Sequence, residues 1–269
     1  MLVLLSSVSL GGAAKEQSSP LIVERAALTQ GGFLIGRVTP GSNVTFLQRT
    51  VKVDANGRFI IGFGRDFPAS AKLTITAQGQ TRVEELSIKK RDYRIERIDG
   101  LPPQKVNPRS EAVLQRIARD AKLIREARGI VSEATDYLQP FVVPAQGRIS
   151  GYYGSQRVLN GEPKRPHFGE DIAGPIGTTV TAPAAGVVRL ADPDMFYSGA
   201  TIIIDHGMGV SSTYLHLHKL HVKVGQKVAQ GELIGEIGKS GRATGPHLDW
   251  RINWYDQRLD PALFINRKP

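Results

Sequence analysis

The residue types able to do chemistry are confined to the second half of this sequence. All six histidines lie at or beyond His167, and the 269 residues contain no cysteine. A disulfide framework and a thiolate metal site are both excluded, so any metal must be held by histidine and carboxylate. Three short segments carry the candidates. His167 and Asp171 are four apart, an even spacing that sets both on one face if the segment is extended, as suits two metal ligands. His247-Leu-Asp249-Trp-Arg251-Ile-Asn253-Trp alternates polar and apolar without a break. Leu248, Trp250, Ile252 and Trp254 are thereby assigned to the core. His247 and Asp249 fall on the opposite face, where a strand can present a ligand beside a proton-handling group. In Ser212-Thr-Tyr214-Leu-His216-Leu-His218, the same alternation turns Leu215 and Leu217 away from Tyr214, His216 and His218. A turn at 205–209 joins this segment to a strand over 200–205 and folds His216 toward the other two clusters.

Arg251 leaves two outcomes open for Asp249. It shares the strand face two residues on, and either locks the carboxylate in an ion pair that leaves a metal site incomplete or orients it as a ligand. His206, His218 and His221 are assigned structural or exposed positions and no role.

The elements that must position these residues are mostly strands. From 20 to 98 the sequence gives short strand-like runs broken by turn signals, Pro40-Gly41 and the hairpin dipeptide Asn56-Gly57 among them, which reads as a small antiparallel β domain suited to targeting or positioning. Region 99–140 holds a proline-rich break at 100–108 and then a helical linker over 110–133, with Val113, Ile117, Ala121, Ile124 and Ala127 at helical spacing. Its charged residues, Arg116, Arg119 and Asp120 among them, read as a solvated face. Region 141–269 is rich in glycine and in short valine and isoleucine runs, the pattern of a second all-β domain with tight turns. The fold class is mainly β.

A composition of 41% hydrophobic and 22% charged residues is that of a globular chain, neither disordered nor membrane-embedded. The net charge of +10 favours anionic partners. No nucleic-acid partner is expected, because the lysines and arginines are scattered and no recognition motif accompanies them. Residues 1–19 begin with an apolar run that ends in small residues before Lys15-Glu16-Gln17, which reads as an export signal, pointing to the periplasm or cell envelope, or as a disordered terminus. No later stretch reaches membrane-spanning length.

Four motifs in order, His167-x-x-x-Asp171, Tyr214-x-His216, Val224-Gly-x-x-Val-x-x-Gly231-x-x-Ile-Gly235 and Thr244-Gly-Pro-His247, together resemble those of the lysostaphin-type (LytM-like) peptidoglycan metalloendopeptidases. The resemblance covers 148–261, and the preceding β domain and linker look like those of envelope-targeted members. It implies a barrel-sandwich-like β metallopeptidase domain that hydrolyses the peptide cross-links of bacterial peptidoglycan, with the bridge between D-alanine and diaminopimelate as the expected target. It further implies His167 and Asp171 as zinc ligands, and His216 and His247 as a catalytic pair that polarises water and stabilises the oxyanion. The family's third ligand is the last histidine of a His-x-His, and Asp249 stands there in this chain. Two aspartates and one histidine can still hold zinc in a site open to water. The added carboxylate makes a bound water a weaker acid and favours harder metals such as manganese or magnesium, so another divalent ion is an alternative. A second functional reading is a degenerate domain that binds peptidoglycan or activates a separate hydrolase. Expected partners are peptidoglycan and envelope or cell-division proteins.

Overall fold

A computed structural model describes residues 21–101 and 103–265. The expected export signal lies outside the described residues. Among these residues no helix is long and apolar enough to cross a membrane.

The amino-terminal strands form two antiparallel sheets, as their alternation requires. Ile22–Ala27, Phe33–Arg37 and Arg58–Gly62 make one; Arg49–Val51, Asn43–Phe46, Ser70–Ala77 and Gln80–Ser87, in that order, make the other. The Asn56-Gly57 hairpin is corrected. The strands on either side of it, Arg49–Val51 and Arg58–Gly62, pair with different partners in different sheets, so the dipeptide turns the chain from one sheet to the other. The tight hairpin in this region instead runs through Leu47 and Gln48, both at positive φ (49° and 58°). Neither residue type signals such a turn.

The long helix Glu111–Gly129 ends four residues before the expected limit. Leu123, Ile124 and Ala127 pack on Leu190, Met195 and Ile203 of the following sheet, which seats the helix on strands Gly186–Met195 and Gly199–Gly207. Its charged side is only partly solvated, and this too is corrected. Asp120 is buried and accepts a hydrogen bond from the Phe196 amide (2.7 Å), while Arg116 and Arg119 reach Asp194 and Asp192. These ties fix the helix along its length.

The large carboxy-terminal sheet is antiparallel throughout. Its order is Lys227–Val228, Gly186–Met195, Gly199–Gly207, Val210–Leu220, His247–Trp254, Glu170–Ala173, Arg148–Gly151. One face carries Ile202, Ile204, Tyr214, Trp250 and Ile252, all fully buried. That core runs on into the amino-terminal strands through Phe46 against Trp254 (ring centroids 6.0 Å) and Phe33 against Phe264 (4.3 Å). On the opposite face the helix covers Leu190 and Ile203. Past the helix that face is left to Thr213, Leu215, Asp249 and Arg251, which lie next to one another in register.

Candidate metal centre

Asp171 and Asp249 sit directly opposite one another on strands Glu170–Ala173 and His247–Trp254. Cross-strand neighbours share a face, so the pairing alone brings two carboxylates together. Room for them comes from two glycines: a Cβ on Gly169 would run into Asp249 Oδ1, and one on Gly151 into Asp171 Oδ2. Neither position admits a side chain.

His167 completes the group by a different route from the one its spacing suggested. It lies ahead of the strand, in a loop held by two backbone bonds, His167 N–H to Ser155 O and Gly154 N–H to His167 O, both 2.8 Å. The loop carries the imidazole under the strand pair, where it is fully buried. Its Nε2 is 3.1 Å from Asp171 Oδ1 and its Nδ1 3.9 Å from Asp249 Oδ2. Neither contact is aligned as a hydrogen bond: His167 Nδ1 and Nε2 and Asp171 Oδ1 are all buried without a partner. His167, Asp171 and Asp249 each offer one ligand atom, and these atoms all lie within 4.8 Å of one another. Buried polar atoms are nearly always satisfied. Orphaned atoms of His167 and Asp171 converging with an Asp249 carboxylate are the donor set of a divalent cation.

Arg251 holds Asp249 with two parallel bonds, Nε to Oδ1 (2.8 Å) and Nη2 to Oδ2 (2.6 Å). Each carboxylate oxygen has a second lone pair, so the fork fixes the orientation of the group without using it up. Burial pushes the Asp249 carboxyl up, but the charges of Arg251 and His167 outweigh it and hold the group well below the usual carboxylate range. At Asp171, burial and the like charge of Asp249 act upward, and His167 and Arg157 still bring it below its ordinary value. Both carboxylates are therefore ionised. Arg157, 3.3 Å from Asp171 Oδ2, plays the orienting part there. It was missed in the sequence because nothing in a local pattern joins it to a residue fourteen positions on.

His216 and His247 stand beside this group with ring centroids 4.8 Å apart. Each is pinned through Nδ1, His216 to Ser240 O (2.7 Å) and His247 to Gly245 O (2.8 Å). Since a carbonyl only accepts, both Nδ1 atoms carry hydrogen and the two Nε2 atoms are left for other work. Burial pushes His216 down to about 4, the nearby Asp249 charge opposing, so it is neutral at physiological pH. His247 Nε2 lies 4.0 Å from Asp171 Oδ1.

The alternation expected for 212–218 is corrected. Tyr214 pairs with Trp250 in the core, and Leu215 pairs with Asp249 on the face of the site. Strict alternation would then have sent His216 into the core. Instead the pairing with the neighbouring strand slips, so that Leu215 and His216 both fall between the partners of Ala200 and Ile202. His216 adopts φ +64°, a conformation uncommon outside glycine. The bulge returns its ring to the site. Among the unassigned histidines, His206 is fully buried, bonded through Nδ1 to Ala185 O (2.6 Å) and through Nε2 to Ser212 Oγ (2.7 Å). His218 is exposed, and His221 pairs with Glu236 at the surface.

The mainly β domain thus holds a His-Asp-Asp donor group beside a pair of histidines. Residues 165–261 match the family model for Peptidase family M23, and the chain carries an M23 (LytM-type) peptidase domain there. It is 42% identical over 116 residues to the peptidoglycan DD-endopeptidase ShyA of Vibrio cholerae, covering 42% of this chain and 26% of that protein. With the DD-carboxypeptidase/endopeptidase Mpg of Neisseria meningitidis it shares 34% identity over 143 residues, 53% of this chain and 31% of that one. The chain thus spans about a quarter to a third of the length of these relatives. The fold extends further than the matched domain. A crystal structure of a candidate M23 peptidase from Pseudomonas aeruginosa superimposes with a TM-score of 0.69 at 29% identity, covering 89% of this chain and 95% of that one.

Proposed function

We propose that this protein is a metal-dependent endopeptidase that hydrolyses the peptide cross-links of bacterial peptidoglycan, with zinc held by His167, Asp171 and Asp249. The observation that carries the reading is the convergence of ligand atoms from His167, Asp171 and Asp249, those of His167 and Asp171 buried without a partner, beside two histidines whose Nδ1 atoms are already engaged. The names of the relatives supply the substrate class.

A divalent cation bound there supplies Lewis acidity toward a carbonyl and lowers the pKa of a water. The chain's own residues do the rest. Arg251 and Arg157 fix the two carboxylates in place. His216, neutral at working pH, takes a proton of the attacking water at Nε2, and the imidazolium so formed returns that proton to the leaving amine, with the bare Nε2 of His247 beside it to receive and relay it. Leu215, buried and paired with Asp249, shields that carboxylate from solvent. We further propose that the chain is exported to the periplasm or envelope, and that region 20–98 serves to position the catalytic region 141–269 against its polymeric substrate, alone or with envelope or cell-division proteins.

Purified sacculi incubated with the zinc-loaded protein should release monomeric fragments from cross-linked dimers, read by chromatography, and His167→Ala should release none. Cross-link loss undiminished in His167→Ala would overturn the assignment. The fork from Arg251 onto both oxygens of Asp249 also supports a second reading, a non-catalytic peptidoglycan-binding or hydrolase-activating domain. Elemental analysis after dialysis against zinc separates the two: one equivalent per chain is expected of the enzyme and none of the degenerate domain. Activity with manganese comparable to that with zinc is the signature expected of the additional carboxylate.

A further inference from the structure

The sheet face that carries Asp249 also carries an excess of positive charge that the metal centre does not use. Arg251 is committed to Asp249. On one side of it, Arg128 at the end of the long helix donates Nη2 to Thr213 Oγ1 (3.0 Å), and Thr213 is the cross-strand partner of Arg251. On the other side, Arg258 donates Nη1 to Asn253 Oδ1 (3.3 Å), and Asn253 lies two residues along the same strand on the same face. Both acceptors are neutral. Neither Arg128 nor Arg258 has a carboxylate partner among the described residues, and Arg128 Nε is buried with no bond at all.

Placing three guanidinium groups around one carboxylate is costly. Burial, then the like charges of Arg258 and Arg251, hold Arg128 well below the usual arginine range; burial and Arg251 bring Arg258 down to about 10. A structural role would be served better by any neutral side chain, since a half-buried, unpaired cation opposes folding. Planar forks with unused donors are what recognises a carboxylate. An open hollow of about 370 Å³, lined by Phe67, Phe168 and Arg258 and rimmed by Arg65, Asp66 and Asp256, adjoins Arg258 and gives a bound chain room to continue.

We infer that Arg128 and Arg258 form a subsite for a free carboxylate of the substrate, borne by the residue adjoining the scissile amide. This deepens the peptidase reading and rests on it. It selects amides whose neighbouring residue keeps an unblocked carboxyl group, as a cross-link to the amino group of a diamino acid does. Bridges built of residues without such a group are disfavoured.

Two synthetic cross-link mimics, identical except for a free α-carboxylate or an α-carboxamide on the residue after the scissile bond, test this with the zinc-loaded full chain. The native protein is expected to favour the carboxylate mimic in kcat/KM by about 10- to 100-fold, the range of hydrogen bonds to a charged group. Arg128→Gln with Arg258→Gln should bring the ratio close to one. A ratio near one in the native protein, or a native ratio in the double variant, overturns the subsite. Arg128→Lys keeps the charge but not the fork and is expected to give an intermediate ratio; a native ratio there counts against the proposal. Calorimetry on the metal-free full chain separates this subsite from the peptidase reading. If neither mimic is cut, the peptidase reading fails, while tighter binding of the carboxylate mimic that the double variant loses still supports the subsite and equal binding refutes it.

Discussion

His206 and His167 are equally buried, yet they sit in opposite circumstances. His206 bonds through both ring nitrogens, and the chain continues from Ser212 Oγ to the Tyr214 hydroxyl (2.7 Å). His167 bonds through neither, and the atoms facing it include a carboxylate oxygen equally without a partner. The first histidine is finished by the fold, and the second requires something the fold does not supply. Burial alone does not separate a structural histidine from a ligand. The account of its hydrogen bonds does.

Four measurements break or sharpen that contrast. His167→Ala should abolish metal binding, read by elemental analysis, and lower cross-link cleavage by about 10³-fold or more, since several kcal/mol of barrier rest on the cation. Its stability without metal should fall by less than that of His206→Ala, because a cavity is left in both but no side-chain hydrogen bond is lost at His167. His206→Ala should do the reverse. Metal content is expected to stay at one equivalent while chemical denaturation shows a loss of about 3 kcal/mol, from the unsatisfied Ala185 carbonyl, the Ser212 hydroxyl and the cavity. A metal-free His206→Ala protein, or a His167→Ala protein as destabilised as His206→Ala, would remove the distinction.

Arg251→Gln should weaken metal affinity by about 10- to 100-fold, as expected when the group that orients a ligand is lost, without the stability loss of His206→Ala. Native affinity in that variant would leave the Arg251 fork without a part in metal binding. The smallest effect is on pH. Burial lowers His206 to about 4 against 6.5 in an unfolded chain, so the unfolded state takes up this proton first as the solution is acidified. Stability from this residue is full above about pH 6.5 and falls by about 1.4 kcal/mol per pH unit between there and about pH 4. Denaturation curves of native and His206→Ala protein over that interval should differ in slope by this amount. Parallel curves would mean that His206 titrates normally.

The two histidines also differ in how far they were legible beforehand. His206 offered nothing but a position after a turn-forming aspartate, because its partners are a carbonyl at Ala185 and a serine on the returning strand. Asp249 and Arg251 could be placed on one face directly from the alternation of 247–254, and the fork between them is local. The same rule misplaced Tyr214 and Leu215. Alternation assumes an unbroken ladder, and the bulge at His216 breaks it. Arg157, Arg128 and Arg258 could not be found at all. Each reaches the site from another element, and one arginine in a charged stretch looks like any other.

The sequence by itself determined the mainly β class, the absence of thiolate chemistry, the long helix and the residues from which a metal site could be drawn. Those follow from composition and from periodicities of two and 3.6, which are properties of neighbours along the chain. Tertiary structure decided the rest. The register that sets Asp171 opposite Asp249, the loop that brings His167 beneath them, the bulge that turns His216 inward and the three guanidinium groups on one face all depend on strands pairing across long separations, where local pattern carries no information about which residues will meet.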